Sequence, residues 1–141
     1  MASARLTAAE RDLVVARANG CCEYCRSPLR LSPDPFSIEH ILPRALRGTE
    51  ELTNLALSCQ GCNGSKYTHT EAIDPVTGET VQLFNPRSHV WAEHFMWGDA
   101  FTLLVGLTPT GRATVEKLRL NRPGVVNLRR MLRLAGEHPV E

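Results

Sequence analysis

Two pairs of cysteines constrain this chain more than any other feature. Cys22 and Cys25 are separated by two residues, as are Cys59 and Cys62, and 33 residues lie between the pairs. In a reducing compartment, such pairs are typical of metal ligands, and four thiolates complete the tetrahedral shell of a structural zinc ion. We therefore predict a zinc site that joins two ends of a small module. Two alternatives stay open: some of these cysteines are simply buried, or Cys21 replaces Cys22, although the Cys-x-x-Cys turn favours Cys22.

The bulk properties are those of a folded globular protein. At 141 residues the chain has room for one ordinary domain, and its 43% hydrophobic and 22% charged content argues against wholesale disorder. No apolar run reaches the roughly 18 residues needed to span a bilayer, and the amino terminus lacks the apolar core of a secretory signal. We expect a cytoplasmic protein with no membrane contact.

Local patterns predict an alternation of short helices and strands. Thr7 and Glu10 have the spacing of a capping box at the start of a first helix. Asn121 and Pro123 begin a last helix that Gly136 ends, with Val125, Leu128 and Leu132 at helical spacing. The predicted elements are a helix over residues 7–18, strands over 36–39 and 55–58, a helix over 60–68, a strand over 81–84, a hairpin over 94–107, and helices over 110–119 and from 121.

The residues between the cysteine pairs offer the chemistry of phosphodiester hydrolysis. Such a reaction needs a base to take a proton from water, a hard cation to neutralise charge on the phosphate, and a group that orients the base. His40 suits the first role because imidazole titrates near neutral pH. Glu39 and Asn63 offer oxygen ligands of the kind that magnesium prefers. Asn54 lies 14 residues beyond His40, between these groups.

Taken together, these motifs resemble the HNH endonucleases with a ββα-metal fold. The resemblance rests on Cys22-x-x-Cys25, Glu39-His40-x-x-Pro43, Asn54-Leu55 and Cys59-x-x-Cys62-Asn63-x-x-Lys66. It implies that His40 activates water, Asn54 positions His40, and Glu39 and Asn63 bind the catalytic divalent ion. It also implies products with a 5′-phosphate and a 3′-hydroxyl, and an α+β fold in which a zinc-braced ββα-metal core carries flanking helices and a β-hairpin.

Two departures from the family pattern bear on the catalytic ion. The acid of the acid–histidine pair is often aspartate, and here it is Glu39, which is one methylene longer. The last motif residue is often histidine, and here it is Asn63. A neutral oxygen ligand in place of imidazole moves the preference toward magnesium or manganese.

The resemblance covers roughly residues 21–68, and we expect the chain to form three parts of one globular unit. Residues 1–20 are expected to form a helix that packs on the core, residues 21–70 the nuclease core with its zinc site, and residues 71–141 an extension of a hairpin and two helices; residues 1–5 and 140–141 of this division lie outside the residues that the structure describes. The extension is basic, with seven arginines and lysines against Glu116 within residues 111–136. We expect a nucleic-acid partner, with double-stranded DNA favoured, whose phosphates contact Lys66, Arg129, Arg130 and Arg133; the alternative is that these cations only solvate a helix face.

Other readings stay open at this stage. His69 and Arg44 are either phosphate contacts or solvated surface residues, and His89 and His94 either bind a second metal or pack the extension on the core. The rival functions are a zinc-knuckle module that binds nucleic acid without cleaving it, and an RNA-cleaving nuclease with the same active site.

Overall fold

The computed structural model describes residues 6–139, and in this range it has an α+β architecture. Three separate antiparallel sheets have two strands each. The helices are α1 (Ala8–Arg17), α2 (Gln60–Lys66), α3 (Trp91–His94), α4 (Pro109–Lys117) and α5 (Pro123–Leu134). The strands are β1 (Ser37–His40), β2 (Leu55–Ser58), β3 (Glu71–Ile73), β4 (Thr80–Gln82), β5 (Phe95–Gly98) and β6 (Leu103–Gly106). None of the helices described is both long enough and apolar enough to cross a bilayer.

The first helix is fixed at both ends by its local sequence. Thr7 and Glu10 form the predicted capping box, in which each side chain accepts a hydrogen bond from the other residue's backbone N–H. Beyond the helix, Gly20 has a φ of +68°, a conformation that glycine adopts without steric cost. Val14 is fully buried and packs with Leu55 and Leu57, so α1 covers one face of β2.

The strand, loop, strand and helix of the predicted core are confirmed. In the sheet of β1 and β2, Ser37 lies opposite Ser58 and His40 lies opposite Leu55. Strand β2 is buried along its whole length. Helix α2 follows directly, with Cys59 as its N-cap; the Cys59 sulfur accepts a hydrogen bond from the backbone N–H of Cys62.

The remaining elements pack on this core. The predicted hairpin is confirmed as β5 and β6, but strand β3 and helix α3 were not predicted from the sequence. A buried cluster that contains Cys22, Cys62, Phe84, Phe95 and Leu118 joins the cysteine pairs to the C-terminal part of the chain. A buried carboxylate also links the β3–β4 turn to α4, since Asp74 accepts hydrogen bonds of 2.9 and 2.8 Å from Arg112.

His89 and His94 belong to this packing. Their rings lie 5.0 Å apart and each is 5.9 Å from the ring of Phe84. The His89 Nδ1 accepts the backbone N–H of Asn85, and the His94 Nδ1 lies 2.6 Å from the hydroxyl of Thr108. These contacts favour the packing interpretation over a second metal site.

Candidate active site and metal centre

The four predicted cysteines converge in one buried cluster. The sulfur atoms of Cys22, Cys25, Cys59 and Cys62 all lie within 4.8 Å of one another, and those of Cys25 and Cys59 are 3.6 Å apart. Zinc–sulfur bonds of about 2.3 Å in a tetrahedron require sulfur–sulfur distances of about 3.8 Å, so the cluster fits a zinc ion. Hydrogen bonds from the other three thiols lower the pKa of Cys59, whereas burial raises the pKa of Cys22. Cys21 is also buried but lies outside the cluster, so the set of four contains Cys22 rather than Cys21.

An arginine from the C-terminal part of the chain lies against this cluster. The guanidinium of Arg122 donates to the sulfur of Cys59 at 3.3 Å and to that of Cys62 at 3.6 Å. Gly61 allows this approach, because a Cβ there would lie 2.6 Å from the Arg122 Nη2. Four thiolates on one Zn²⁺ carry a net negative charge, and a guanidinium beside them offsets part of it.

The cluster of Cys22, Cys25, Cys59 and Cys62 is called the zinc knuckle below. Glu39 lies on the face of β1 that is turned toward this knuckle and α2. Its carboxylate accepts a hydrogen bond from the hydroxyl of Tyr24, and its other oxygen is 3.4 Å from the Lys66 ammonium. The side chains of Glu39 and Lys66 are 3% and 2% exposed. Burial raises the pKa of Glu39, and the neighbouring charge of Lys66 opposes that shift.

The Lys66 ammonium therefore has internal partners. Besides Glu39, it donates a 3.0 Å hydrogen bond to the carbonyl of Ile41. The predicted phosphate contact of Lys66 is contradicted by this burial, since an ammonium held between a carboxylate and a carbonyl is closed to a phosphate in solution.

Glu39 and Asn63, the proposed ligands of the catalytic ion, have suitable oxygen atoms, but Glu39 already has other partners. Asn63 is half-buried in the first turn of α2, one turn before Lys66, and its side-chain amide has no hydrogen bond to residues 6–139. Glu39 offers the carboxylate that a hard cation prefers, but Tyr24 and Lys66 already engage both of its oxygens. A cation at Glu39 would therefore share the carboxylate with Tyr24 and compete with the Lys66 ammonium.

His40 lies in a different environment from its neighbour Glu39. Its Nε2 is 2.8 Å from a carboxylate oxygen of Glu50, and the other Glu50 oxygen accepts a 2.6 Å hydrogen bond from the Nε of Arg44. The hydrogen bond from Arg44, and to a smaller extent that from His40, lowers the pKa of Glu50 to about 2. The Glu50 carboxylate is therefore ionised at neutral pH. The three side chains line an open cleft of about 200 Å³.

Asn54 organises the loop that brings Glu50 to His40. Its amide accepts from the backbone N–H of Leu42 at 2.9 Å and donates to the carbonyls of Leu42 and Thr49 at 3.0 and 2.9 Å. Leu42 follows His40 by two residues, and Thr49 directly precedes Glu50. Residue 48 must be glycine for the loop to close this tightly, because a Cβ added there would overlap the Leu42 carbonyl.

Arg129 corrects the predicted nucleic-acid surface. It is 2% exposed, and its guanidinium donates to the carbonyls of Thr102, Leu120 and Cys25 at 3.0, 2.7 and 3.2 Å. Burial lowers its pKa to about 10, which leaves it charged at neutral pH. The predicted phosphate contact of Arg129 is wrong, because its guanidinium is buried and its hydrogen bonds join the knuckle to the C-terminal segments.

The two other arginines of α5 are exposed, as the prediction requires. Arg130 donates to the side chain of Asn127 at 3.0 Å, and the guanidinium of Arg133 lies 4.1 Å from the centre of the Phe101 ring. Their contact with phosphate stays a prediction.

Sequence reasoning missed three residues of this region: Tyr24, Glu50 and Arg122. Glu50 lies in a loop, ten residues after its partner His40, with no motif to mark it. Arg122 is 60 residues from Cys62 in sequence, and nothing in the local pattern predicts their contact. A tyrosine inside a Cys-x-x-Cys turn carries a weak signal, since its hydroxyl needs a partner when the turn is buried.

Comparisons with known proteins agree with this geometry. Residues 22–69 match the family described as HNH endonuclease. The Septu protein PtuB of Bacillus thuringiensis is 30% identical over 107 residues, which cover 74% of this chain and 38% of that protein. The chain thus spans well under half the length of this relative. No solved structure matches the chain.

Proposed function

Because residues 22–69 are a domain of the HNH endonuclease family, we propose that this protein is a divalent-metal-dependent endonuclease acting on double-stranded DNA in the cytoplasm. The observation that carries the proposal is the pair of His40 and Glu50 in an open cleft, next to a zinc-braced core. A module that only binds nucleic acid has no need of a histidine oriented by an ionised carboxylate. The paired cysteines are consistent with a reducing compartment.

His40 is the proposed general base. When its Nε2–H donates to the ionised Glu50, the neutral imidazole carries its lone pair on Nδ1. Nδ1 has no hydrogen bond to residues 6–139, so it is available to take a proton from a water molecule. Glu50 then stabilises the imidazolium that forms, in the way that a buried acid supports histidine in other hydrolases.

Asn54 is the proposed positioning residue. Within residues 6–139 its side chain makes no hydrogen bond to the His40 ring; instead it holds the backbone on both sides of the loop that carries His40 and Glu50. Its loss would let Glu50 and His40 separate, which affects catalysis more than overall stability.

The catalytic ion would supply charge neutralisation at the phosphate and the leaving oxygen. Glu39 and Asn63 are its proposed ligands, and magnesium or manganese is favoured by their oxygen donors. The zinc at the four cysteines has a separate, structural role.

The test is incubation of the purified full chain with supercoiled plasmid and with a structured RNA, each with and without added Mg²⁺ or Mn²⁺. The matched control is His40→Ala, which leaves the cysteine cluster untouched. We expect the wild type to cut the plasmid only with a divalent ion, leaving 5′-phosphates, and His40→Ala to leave it intact. Preferential cutting of RNA contradicts the DNA assignment, and equal cutting by His40→Ala contradicts the assigned base.

A further inference from the structure

The cleft of His40 contains more positive charge than the mechanism uses. Its wall is lined by Arg11 and Arg44, together with Glu50 and the apolar side chains of Leu6, Ile38 and Leu55. Two guanidinium groups face one carboxylate there, so the cleft carries an excess positive charge beside the proposed base. The extension, by contrast, loses one of its three predicted phosphate contacts to burial, since Arg129 is 2% exposed.

Arg11 is held in this cleft by the position of α1. It precedes Val14 by three residues and Ala18 by seven, so all three lie along one side of the helix. Val14 and Ala18 are buried with Leu55, which places the side of α1 that carries Arg11 toward the β1–β2 sheet. The Arg11 guanidinium is exposed and has no hydrogen bond or ion pair within residues 6–139. A cation in a cleft without an internal partner is free to bind an anion.

Arg44 is oriented rather than free. Its Nε binds Glu50, which also binds His40, so one carboxylate holds the arginine and the histidine in the same cleft. Its side chain is 58% exposed, and its two terminal nitrogens bind nothing within the described part of the chain. These nitrogens present the planar, two-donor edge that matches the non-bridging oxygens of a phosphate.

We infer that Arg11 and Arg44 bind a backbone phosphate of the substrate strand next to His40. The ligand class is a nucleic-acid phosphodiester, recognised through its non-bridging oxygens without contact to the bases. The inference rests on the proposed function, because it places the phosphate in the cleft of the proposed base. It assigns the phosphate contact to α1 and the loop between β1 and β2 rather than to α5.

The experiment measures binding separately from cleavage. The parent is the full zinc-loaded chain with His40→Ala, titrated onto a fluorescent mixed-sequence DNA duplex over a range of salt concentrations. The variant is Arg11→Gln in this parent, and the matched control is Arg119→Gln, another exposed arginine, which is not among the predicted phosphate contacts. Glutamine preserves helix propensity, so equal melting temperatures of the three proteins check the fold.

We expect Arg11→Gln to weaken binding about five- to tenfold at low salt. The slope of log affinity against log salt should flatten by about 0.9, the value for one lost phosphate contact on B-DNA. Arg44→Gln should act in the same direction, while Arg119→Gln should leave affinity and slope close to those of the parent.

Two failures are distinguishable. If the parent binds the duplex and Arg11→Gln matches it in affinity and slope, the inference is overturned and the proposed function stands. If the parent binds neither DNA nor an RNA duplex at low salt, the proposed function fails and this inference fails with it.

Discussion

Glu39 and His40 are adjacent on β1, but they lie in opposite environments. The Glu39 side chain is 3% exposed, between the Tyr24 hydroxyl and the Lys66 ammonium, while the His40 side chain is 18% exposed in an open cleft. Successive residues of a strand point to opposite faces, so one faces the zinc knuckle and the other faces solvent. The difference shows that chemical type alone does not assign a role; the partners that each face supplies decide it.

The same contrast recurs on α5. Arg129 is buried with carbonyl groups from three segments, and Arg130, the next residue, is exposed and binds only Asn127 within residues 6–139. On the side of the four-cysteine cluster, charged side chains join distant segments of the chain. On the side of the His40 cleft, charged side chains are exposed to solvent. Substitutions on the two sides should therefore fail in different ways, by unfolding on one side and by loss of binding or catalysis on the other.

The largest expected effect is on the knuckle side. Cys59→Ser removes a zinc ligand, and zinc binding contributes roughly 10 kcal/mol or more of folding free energy in zinc-finger peptides. We expect this variant to lose its zinc and its cooperative thermal unfolding transition, as measured by metal analysis and circular dichroism. Cys21→Ser is the matched control, since Cys21 is buried outside the cluster; it should keep one zinc per chain and lose about 1–2 kcal/mol. If Cys59→Ser kept its zinc, the assignment of the zinc to the four cysteines would be wrong.

A smaller loss of stability should separate the two neighbouring arginines of α5. Arg129→Gln leaves buried carbonyls without donors, and we expect it to lower the free energy of unfolding by about 3 kcal/mol. Arg130→Gln should change it by less than about 0.5 kcal/mol, as is usual for an exposed position. Chemical denaturation of both variants measures the difference. Equal stabilities would mean that the Arg129 hydrogen bonds contribute nothing net.

The smallest effect is expected at the proposed ion ligand of α2. Asn63→Ala should leave one zinc per chain and the melting temperature nearly unchanged, because the Asn63 amide has no hydrogen bond within residues 6–139. It should raise the concentration of Mg²⁺ or Mn²⁺ that gives half-maximal cleavage, as judged from plasmid assays over a metal titration. Loss of zinc in this variant would instead place Asn63 in the knuckle.

Much of the fold was predictable because its signals are local. The capping box of Thr7 and Glu10, the alternating apolar and polar residues over 36–39 and the Gly98-Asp99 turn of the hairpin each depend on a few adjacent residues. Strand β3 was missed because it has three residues, two of them exposed, and forms only through its pairing with β4. Helix α3 is a single turn and carries no periodicity to detect.

The site was predictable in its residue types but not in its partners. The four cysteines and His40 stand in motifs whose spacing identifies them. Of their partners, Glu50 lies ten residues from His40 without a motif to mark it, and Arg122 lies 60 residues from Cys62. The burial of Arg129 did have a signal: it lies four residues after Val125 and three before Leu132, on the apolar side of α5, and only its charge suggested a solvent-exposed role.

The most direct test of the central claim is one paired measurement on His40→Ala: its zinc content and its rate of plasmid cleavage. If the zinc knuckle braces the fold and the His40 cleft does the chemistry, the variant keeps one zinc per chain and the wild-type melting temperature. Its turnover should fall by a factor on the order of 10²–10⁴, the usual cost of removing a general base. A variant that keeps more than about a third of wild-type turnover, or that loses its zinc together with its activity, would contradict this separation of roles.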